Sequence, residues 1–216
     1  MTYKARFQYL FDRAADIAHD RAASNPHGVN MPPLFFFTDP KRTPHPEDTA
    51  AHLPAGCGIV YRHFGEGHAV QRARLLKKIA DDRGLFLLIG EDHDLALEVE
   101  AKGVHLREQS LDHAGVLRRN HPDLVLTAAC HAAATLTASA VIEGHIAALF
   151  VSPVFDSHSP STLGVKPLGV KRMREVAQAA TVPVYGLGGI TYDTILSLRD
   201  CGLAGVAAVD AFAIRD

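Results

Sequence analysis

A chain of 216 residues that is 47% hydrophobic is long enough to bury a full core, and 22 Lys+Arg against 24 Asp+Glu leave a formal charge of −2. That balance, with no basic stripe interleaved with aromatics, gives nucleic acid no electrostatic footprint. No apolar run approaches the roughly 20 residues that span a bilayer and no signal-peptide core opens the chain, so a cytoplasmic protein with a small-molecule partner and no membrane partner is expected.

Taken in chain order, the first element is helical. The stretch "KARFQYLFDRAADIAHDRAAS" places Phe7, Leu10, Phe11, Ala14 and Ile17 on one face. The stretch "NPHGVNMPP" ends this helix, which is expected to plug or flank the floor of the main unit. Residues 1–33 are read as an N-terminal helical extension and residues 34–216 as the main unit, together one compact domain. Short apolar runs then recur as "LFFFTD", "GIVYRHF", "LFLLIG", "KGVHLR", "LVLTAAC", "AALFVSPV", "VPVYGLGG" and "GVAAVDAF", and most of the intervening stretches have helical periodicity. Strands that are nearly continuous in apolar character are buried on both faces, which marks a parallel sheet covered by helices. Eight of them predict an α/β fold of the (β/α)8 TIM-barrel type with an additional N-terminal helix. A doubly wound open sheet is the alternative, but it uses five or six strands.

A barrel gives function an address at the C-terminal ends of its strands. Those ends carry Asp39, Arg62, His63, Gly90 to Asp92, Arg107 to Gln109, His131, Phe155 to Ser161, Gly186 to Gly189 and Asp210. In "GLGGIT", backbone N–H groups near Gly188 and Gly189 could meet a phosphate, because glycine permits close approach and Thr191 can cap the next turn. The plainer alternative is a tight strand-to-helix turn.

The pieces "LFFFTD", "DLALEVEAKGVHLREQSL", "PVF", "VPVYGLGGI" and "GVAAVDAFAI", in this order from about Leu34 onward, resemble the thiamine phosphate synthase/TenI superfamily. The resemblance implies a barrel that handles phosphorylated thiazoles in thiamine biosynthesis, with Gly188 and Gly189 on the thiazole phosphate. For a synthase it further implies Mg²⁺ held by two Asp residues and a Thr-x-Thr-Lys stretch that grips the departing pyrophosphate. Here Gly90-Glu91 and Ser110 stand at the metal positions. Mg²⁺ demands near-ideal octahedral oxygen geometry, so a longer carboxylate and a hydroxyl both weaken the site, and Asp92, Asp94 or Asp112 could compensate only with shifted loops. In "FDSHSPST", Ser157 and Ser159 keep hydroxyls, but Pro160 replaces the lysine and Lys166 is out of register.

The TenI-like branch is similar but needs no metal, since its members are implied to be thiazole tautomerases. A His just after the fifth strand is their acid/base group, and "TAACHAAATL" puts His131 there. Imidazole titrates near neutrality and can both give and take a proton. The competing interpretation is that His131 simply starts a helix. Arg62 in "YRHF" matches a position used on substrate anions, while the family's next-but-one Lys is Phe64. Asp210 stands where the family has a small hydroxyl residue near the phosphate. A carboxylate there repels a phosphate unless a cation intervenes, so Asp210 is expected either to point away or to pair with Arg62 or Lys166.

The remaining candidates have simple interpretations. Cys57, Cys130 and Cys201 are far apart and odd in number, which indicates buried thiols. His105 in "GVHL" is expected to be a hydrogen-bonded core residue. His63, His93 and His158 lack zinc-type spacing, so no metal is assigned. Met31, Met173 and Phe35 to Phe37 read as core. The leading expectation is therefore a TenI-like enzyme moving a proton on a phosphorylated thiazole, with His131 as acid/base, Arg62, Gly188, Gly189, Ser157 and Ser159 on substrate, and no cofactor. The alternatives are a thiamine phosphate synthase, for which Mg²⁺ would be required, and a non-catalytic ligand-binding or regulatory barrel. A homo-oligomer is compatible with this sequence.

Overall fold

The computed structural model describes residues 2–19, 28–131, 144–157 and 164–214. Eight parallel strands, β1 (Leu34–Phe37), β2 (Gly58–Tyr61), β3 (Phe86–Gly90), β4 (Gly103–Leu106), β5 (Val125–Cys130), β6 (Ala148–Val151), β7 (Val184–Leu187) and β8 (Gly205–Ala208), pair in chain order. The ring closes where Phe35 of β1 meets Ala207 of β8. This is the expected (β/α)8 barrel rather than an open sheet. Around it lie α1 (Tyr3–His19), α2 (Pro46–Ala50), α3 (Ala69–Arg83), α4 (His93–Glu98), α5 (Ala114–Asn120) and α6 (Gly169–Ala179). Short 3-10 helices at Thr194–Leu198 and Asp210–Phe212 come after β7 and β8.

Strand alternation divides the apolar residues into two clusters. Phe35, Phe37, Leu88, Phe150, Tyr185 and Ala207 fill the barrel, whereas Phe36, Ile59 and Leu87 face the helices. The ring of Phe35 stands edge-on to Phe150 at 5.2 Å and to Tyr185 at 5.5 Å. Each such buried ring contributes about 2–3 kcal/mol of transfer free energy. A side chain at Gly58 would collide with the Phe35 ring, so that glycine is what lets three aromatics share one layer. The buried hydroxyl of Tyr185 donates to the Pro32 carbonyl at 2.9 Å.

The N-terminal helix flanks the barrel and does not plug it. Its buried residues Phe7, Leu10, Ala14 and Ile17 belong to the outer cluster, and Phe7 meets Phe212 edge-on at 5.1 Å. It covers β1 and β8, and among the described residues a three-residue 3-10 helix succeeds the last strand. The floor is closed instead by Val29 and Met31, which pack against the interior cluster. No helix among the described residues is long and apolar enough to cross a membrane.

Candidate active site

At the mouth, the ends of β1 and β2 are joined by polar contacts. Thr38 accepts the Arg62 backbone N–H on its hydroxyl and the Arg62 Nε–H on its carbonyl, both at 2.8 Å. The guanidinium lies against the Phe37 ring at 5.3 Å and the Phe64 ring at 5.4 Å. Its Nη2 is buried and has no hydrogen-bond partner among the described residues. Burial pulls the Arg62 pKa down to about 10, with nearby Asp39 opposing and Arg42 adding to that shift. Arg62 therefore stays cationic at neutral pH with unused donors.

Asp39 turns its carboxylate onto the backbone N–H groups of Lys41 and Arg42 and onto Arg42 Nη2, all at 3.0 Å. Desolvation pushes the Asp39 carboxyl up, but these bonds outweigh it and the net shift is downward. The other arm of Arg42, Nη1, reaches Asp210 Oδ2 at 3.2 Å. This corrects the expected partner of Asp210. Arg42 ties the loop after β1 to that after β8, and neither Arg62 nor Lys166 does so.

The ends of β3 and β4 explain the missing metal ligands. A Cβ at Gly90 would lie 3.1 Å from Arg62 Cγ, so glycine there leaves room for the arginine stem. Glu91 has φ +65, and its carboxylate accepts the Arg107 backbone N–H, Arg107 Nε–H at 2.9 Å and the Ser110 hydroxyl at 2.7 Å. Desolvation raises the Glu91 pKa, but the bonds from Arg107 and Ser110 prevail and hold it below the usual carboxylate range. Asp92 caps α4 by accepting Leu95 N–H at 2.9 Å, and its other oxygen faces His63 Nε2 at 3.3 Å. The two family metal positions are thus bonded to each other, and no group of three His, Cys, Asp or Glu side chains is gathered among the described residues. This donor set does not fit a resident Mg²⁺.

At the end of β5, His131 is exposed and its Nδ1 lies 3.1 Å from Glu108 Oε2, while its backbone N–H donates to Glu108 Oε1 at 3.3 Å. Nδ1–H donating to the carboxylate leaves Nε2 to exchange a proton with a ligand. Residues 132–143, which a helix-start role for His131 would need, lie outside the described residues. Below it His105 is buried inside the barrel, with Nδ1 3.0 Å from the Thr127 hydroxyl and its ring edge-on to Phe37 and Phe150. Burial drives its pKa down to about 3, assisted by Arg62 and His131, so His105 is neutral. Its expected core role agrees with this placement.

The glycines after β7 meet backbone. Gly188 and Gly189 have φ of +92 and +67, and Cβ atoms on them would lie 3.0 Å from Pro153 Cα and 2.5 Å from the Asp156 carbonyl oxygen. The turn is pinned by Val154 N–H to Leu187 O and Phe155 N–H to Gly188 O, each 3.0 Å. The end of β7 therefore closes on the loop after β6, and that contact alone accounts for both glycines. The N–H groups of Gly188 and Gly189 make no hydrogen bond to a described residue. Thr191 and Thr194 then brace the next turn reciprocally, and Thr194 Oγ1 donates to Gly189 O at 2.9 Å. Ser157 is half-buried on the loop after β6, whereas Ser159 and Pro160 lie outside the described residues. Sequence reasoning placed Glu108 at a strand end within Arg107 to Gln109 but gave it no role, and it missed Arg42. Asp39 three residues before Arg42 was a visible cue for a local pair, but nothing marked its partner 168 residues away.

A closed barrel with arginines, a histidine–carboxylate pair and glycine turns on its C-terminal face defines a (β/α)8 enzyme that handles a small molecule. The family model for thiamine monophosphate synthase matches residues 34–212, and the chain belongs to that family, the thiamine phosphate synthase/TenI superfamily. It is 36% identical over 190 residues to an Aquifex aeolicus protein named "Putative thiamine-phosphate synthase 2", covering 85% of this chain and 99% of that one. It is 32% identical to the thiamine biosynthesis bifunctional protein ThiM/ThiE of Symbiobacterium thermophilum, spanning 86% of this chain but 40% of that protein. The fold matches the thiamine phosphate pyrophosphorylase structure from Pyrococcus furiosus with a TM-score of 0.72 at 19% identity, covering 85% of this chain and 88% of that one. These names support the synthase alternative more directly than the tautomerase expectation.

Proposed function

We propose that this protein acts in thiamine biosynthesis on a phosphorylated thiazole, and that it catalyses a metal-independent proton transfer of the thiazole tautomerase type. The observation that carries this reading is the His131–Glu108 pair at the mouth. Glu108 orients the imidazole, and Nε2 of His131 removes a proton from the ring carbon of a thiazole carboxylate phosphate. The same proton is returned to the exocyclic carbon, and the exocyclic double bond moves into an aromatic ring. Atoms and charge balance with no co-reactant. The N–H groups of Gly188 and Gly189, which make no hydrogen bond to a described residue, receive the phosphate, the Ser157 hydroxyl adds to that grip, and Ser159 is assigned to it on sequence alone. Arg62 receives a second substrate anion, since its Nη2 has no partner among the described residues. Pairing of Asp210 with Arg42, which Asp39 also shares, lessens its repulsion of the phosphate.

The names of the relatives favour a second reading, coupling of a pyrimidine pyrophosphate to thiazole phosphate. That reading requires Glu91 to leave Arg107 and Ser110. The two are separated by assaying purified protein for isomerisation of thiazole carboxylate phosphate in EDTA and for thiamine phosphate formation in Mg²⁺. Turnover in EDTA with no coupling is expected. Mg²⁺-dependent coupling without isomerisation would replace the first reading by the second.

A further inference from the structure

Phe64 breaks two ordinary rules at once. It is 68% exposed, although aromatic side chains are rarely left so bare, and its φ of +47 is the left-handed region that bulky residues avoid. Conformations of this kind persist where the surroundings impose them, and they cluster at ligand sites. Beside Phe64 lies the Arg62 guanidinium, whose Cζ is 5.4 Å from its ring and 5.3 Å from that of Phe37. Thr38 O fixes the guanidinium plane through Nε, and the buried Nη2 has no hydrogen-bond partner among the described residues. Arg62 therefore keeps an unbonded, buried N–H donor in its planar guanidinium, with two aromatic rings beside it.

A donor so flanked favours a flat, singly charged anion. A carboxylate can lie in the guanidinium plane and accept two parallel N–H bonds, and the flanking rings exclude water that would weaken them. A pyrophosphate is tetrahedral at phosphorus, carries several charges and needs a second cation, which the ring at position 64 does not supply. We propose that Phe64 is a specificity-determining residue which, by roofing Arg62, makes this subsite select a planar carboxylate over a pyrophosphate. The inference rests on the proposed thiazole ligand and adds which of its groups Arg62 takes and why.

The test is calorimetric titration of wild type, Phe64→Ala and Phe64→Lys with three probes: thiazole carboxylate phosphate, thiazole phosphate without the carboxylate, and inorganic pyrophosphate. Wild type is expected to bind the carboxylated ligand about tenfold tighter than its decarboxylated form. Phe64→Ala should shrink that ratio several-fold while leaving affinity for the decarboxylated phosphate unchanged, and Phe64→Lys should raise pyrophosphate affinity about tenfold. Melting curves for both variants exclude misfolding. Equal wild-type affinity for the two thiazole phosphates, or a ratio that Phe64→Ala does not change, overturns the selectivity and leaves the thiazole reading standing. Failure of wild type to bind either thiazole phosphate overturns both.

Discussion

The two halves of the barrel mouth are built differently. After β1 to β4 and β8, side chains bond to side chains: Arg42 to Asp39 and Asp210, Glu91 to Arg107 and Ser110, and His63 to Asp92. After β6 and β7, backbone meets backbone, with Val154 and Phe155 N–H on Leu187 and Gly188 carbonyls and Leu168 and Gly169 N–H on Pro153 and Val154 carbonyls. Ionic groups in the first half largely neutralise one another and hold a shape. The second half leaves the Gly188 and Gly189 N–H groups without a bond to a described residue, and His131 stands two strands away at the β5 end. Charge on the first side is paired within it except at Arg62 and at Glu108, which reaches across to His131.

That division can be broken by substitution, and the largest effect is expected at His131. Replacing it with Asn, which cannot exchange a proton near neutrality, should slow isomerisation roughly 10²–10⁴-fold with melting temperature and thiazole phosphate affinity nearly unchanged. Wild-type turnover in that variant would remove His131 from the mechanism. Next comes Gly189→Ala, whose Cβ meets the Asp156 carbonyl and Phe155 at 2.5 and 2.6 Å, both parts of a hydrogen-bonded loop. Overpacking and left-handed strain together should cost about 2–4 kcal/mol in urea unfolding, together with the phosphate site.

A pH experiment tests the layer beneath both halves. The folded pKa of His105, about 3, lies below its ordinary value of 6.5, so the unfolded chain binds the extra proton between those limits. Its contribution to stability is complete above pH 6.5 and is lost as pH falls toward 3, by up to about 1.4 kcal/mol per unit. His105→Gln should flatten the stability slope between pH 6.5 and 4.5 in denaturant titrations. An unchanged slope would mean that the imidazole is not desolvated as described. The smallest effect is expected from Arg42→Ala, because Asp210 is 44% exposed and can be hydrated. A loss of about 1 kcal/mol in unfolding free energy is expected. Phosphate affinity should fall with it and recover in Arg42→Ala/Asp210→Ser, which removes the uncompensated charge.

The eight strands, the helix before them and the positions of Arg62, His131 and the glycines at strand ends were legible in the sequence. Apolar continuity and helical periodicity are local signals, and barrel closure assigns strand ends to one face. The split of the phenylalanine run, with Phe35 and Phe37 inside and Phe36 outside, comes from strand alternation once the fold is known. Tertiary structure alone decided the pairings. Asp210 meets Arg42 across 168 residues, Glu108 meets His131 across 23, and Glu91 meets Ser110 across 19, all through loops whose directions no periodicity encodes. It also decided that α1 lies beside β1 and β8, because an amphipathic face shows that a helix is covered and does not show by what. The glycines in "VPVYGLGGI" were visible as a demand for close approach, but the partner, the loop from Pro153 to Asp156, comes from another strand. Local patterns fix what a residue can do, and the packing of distant strands fixes which neighbour it does it to.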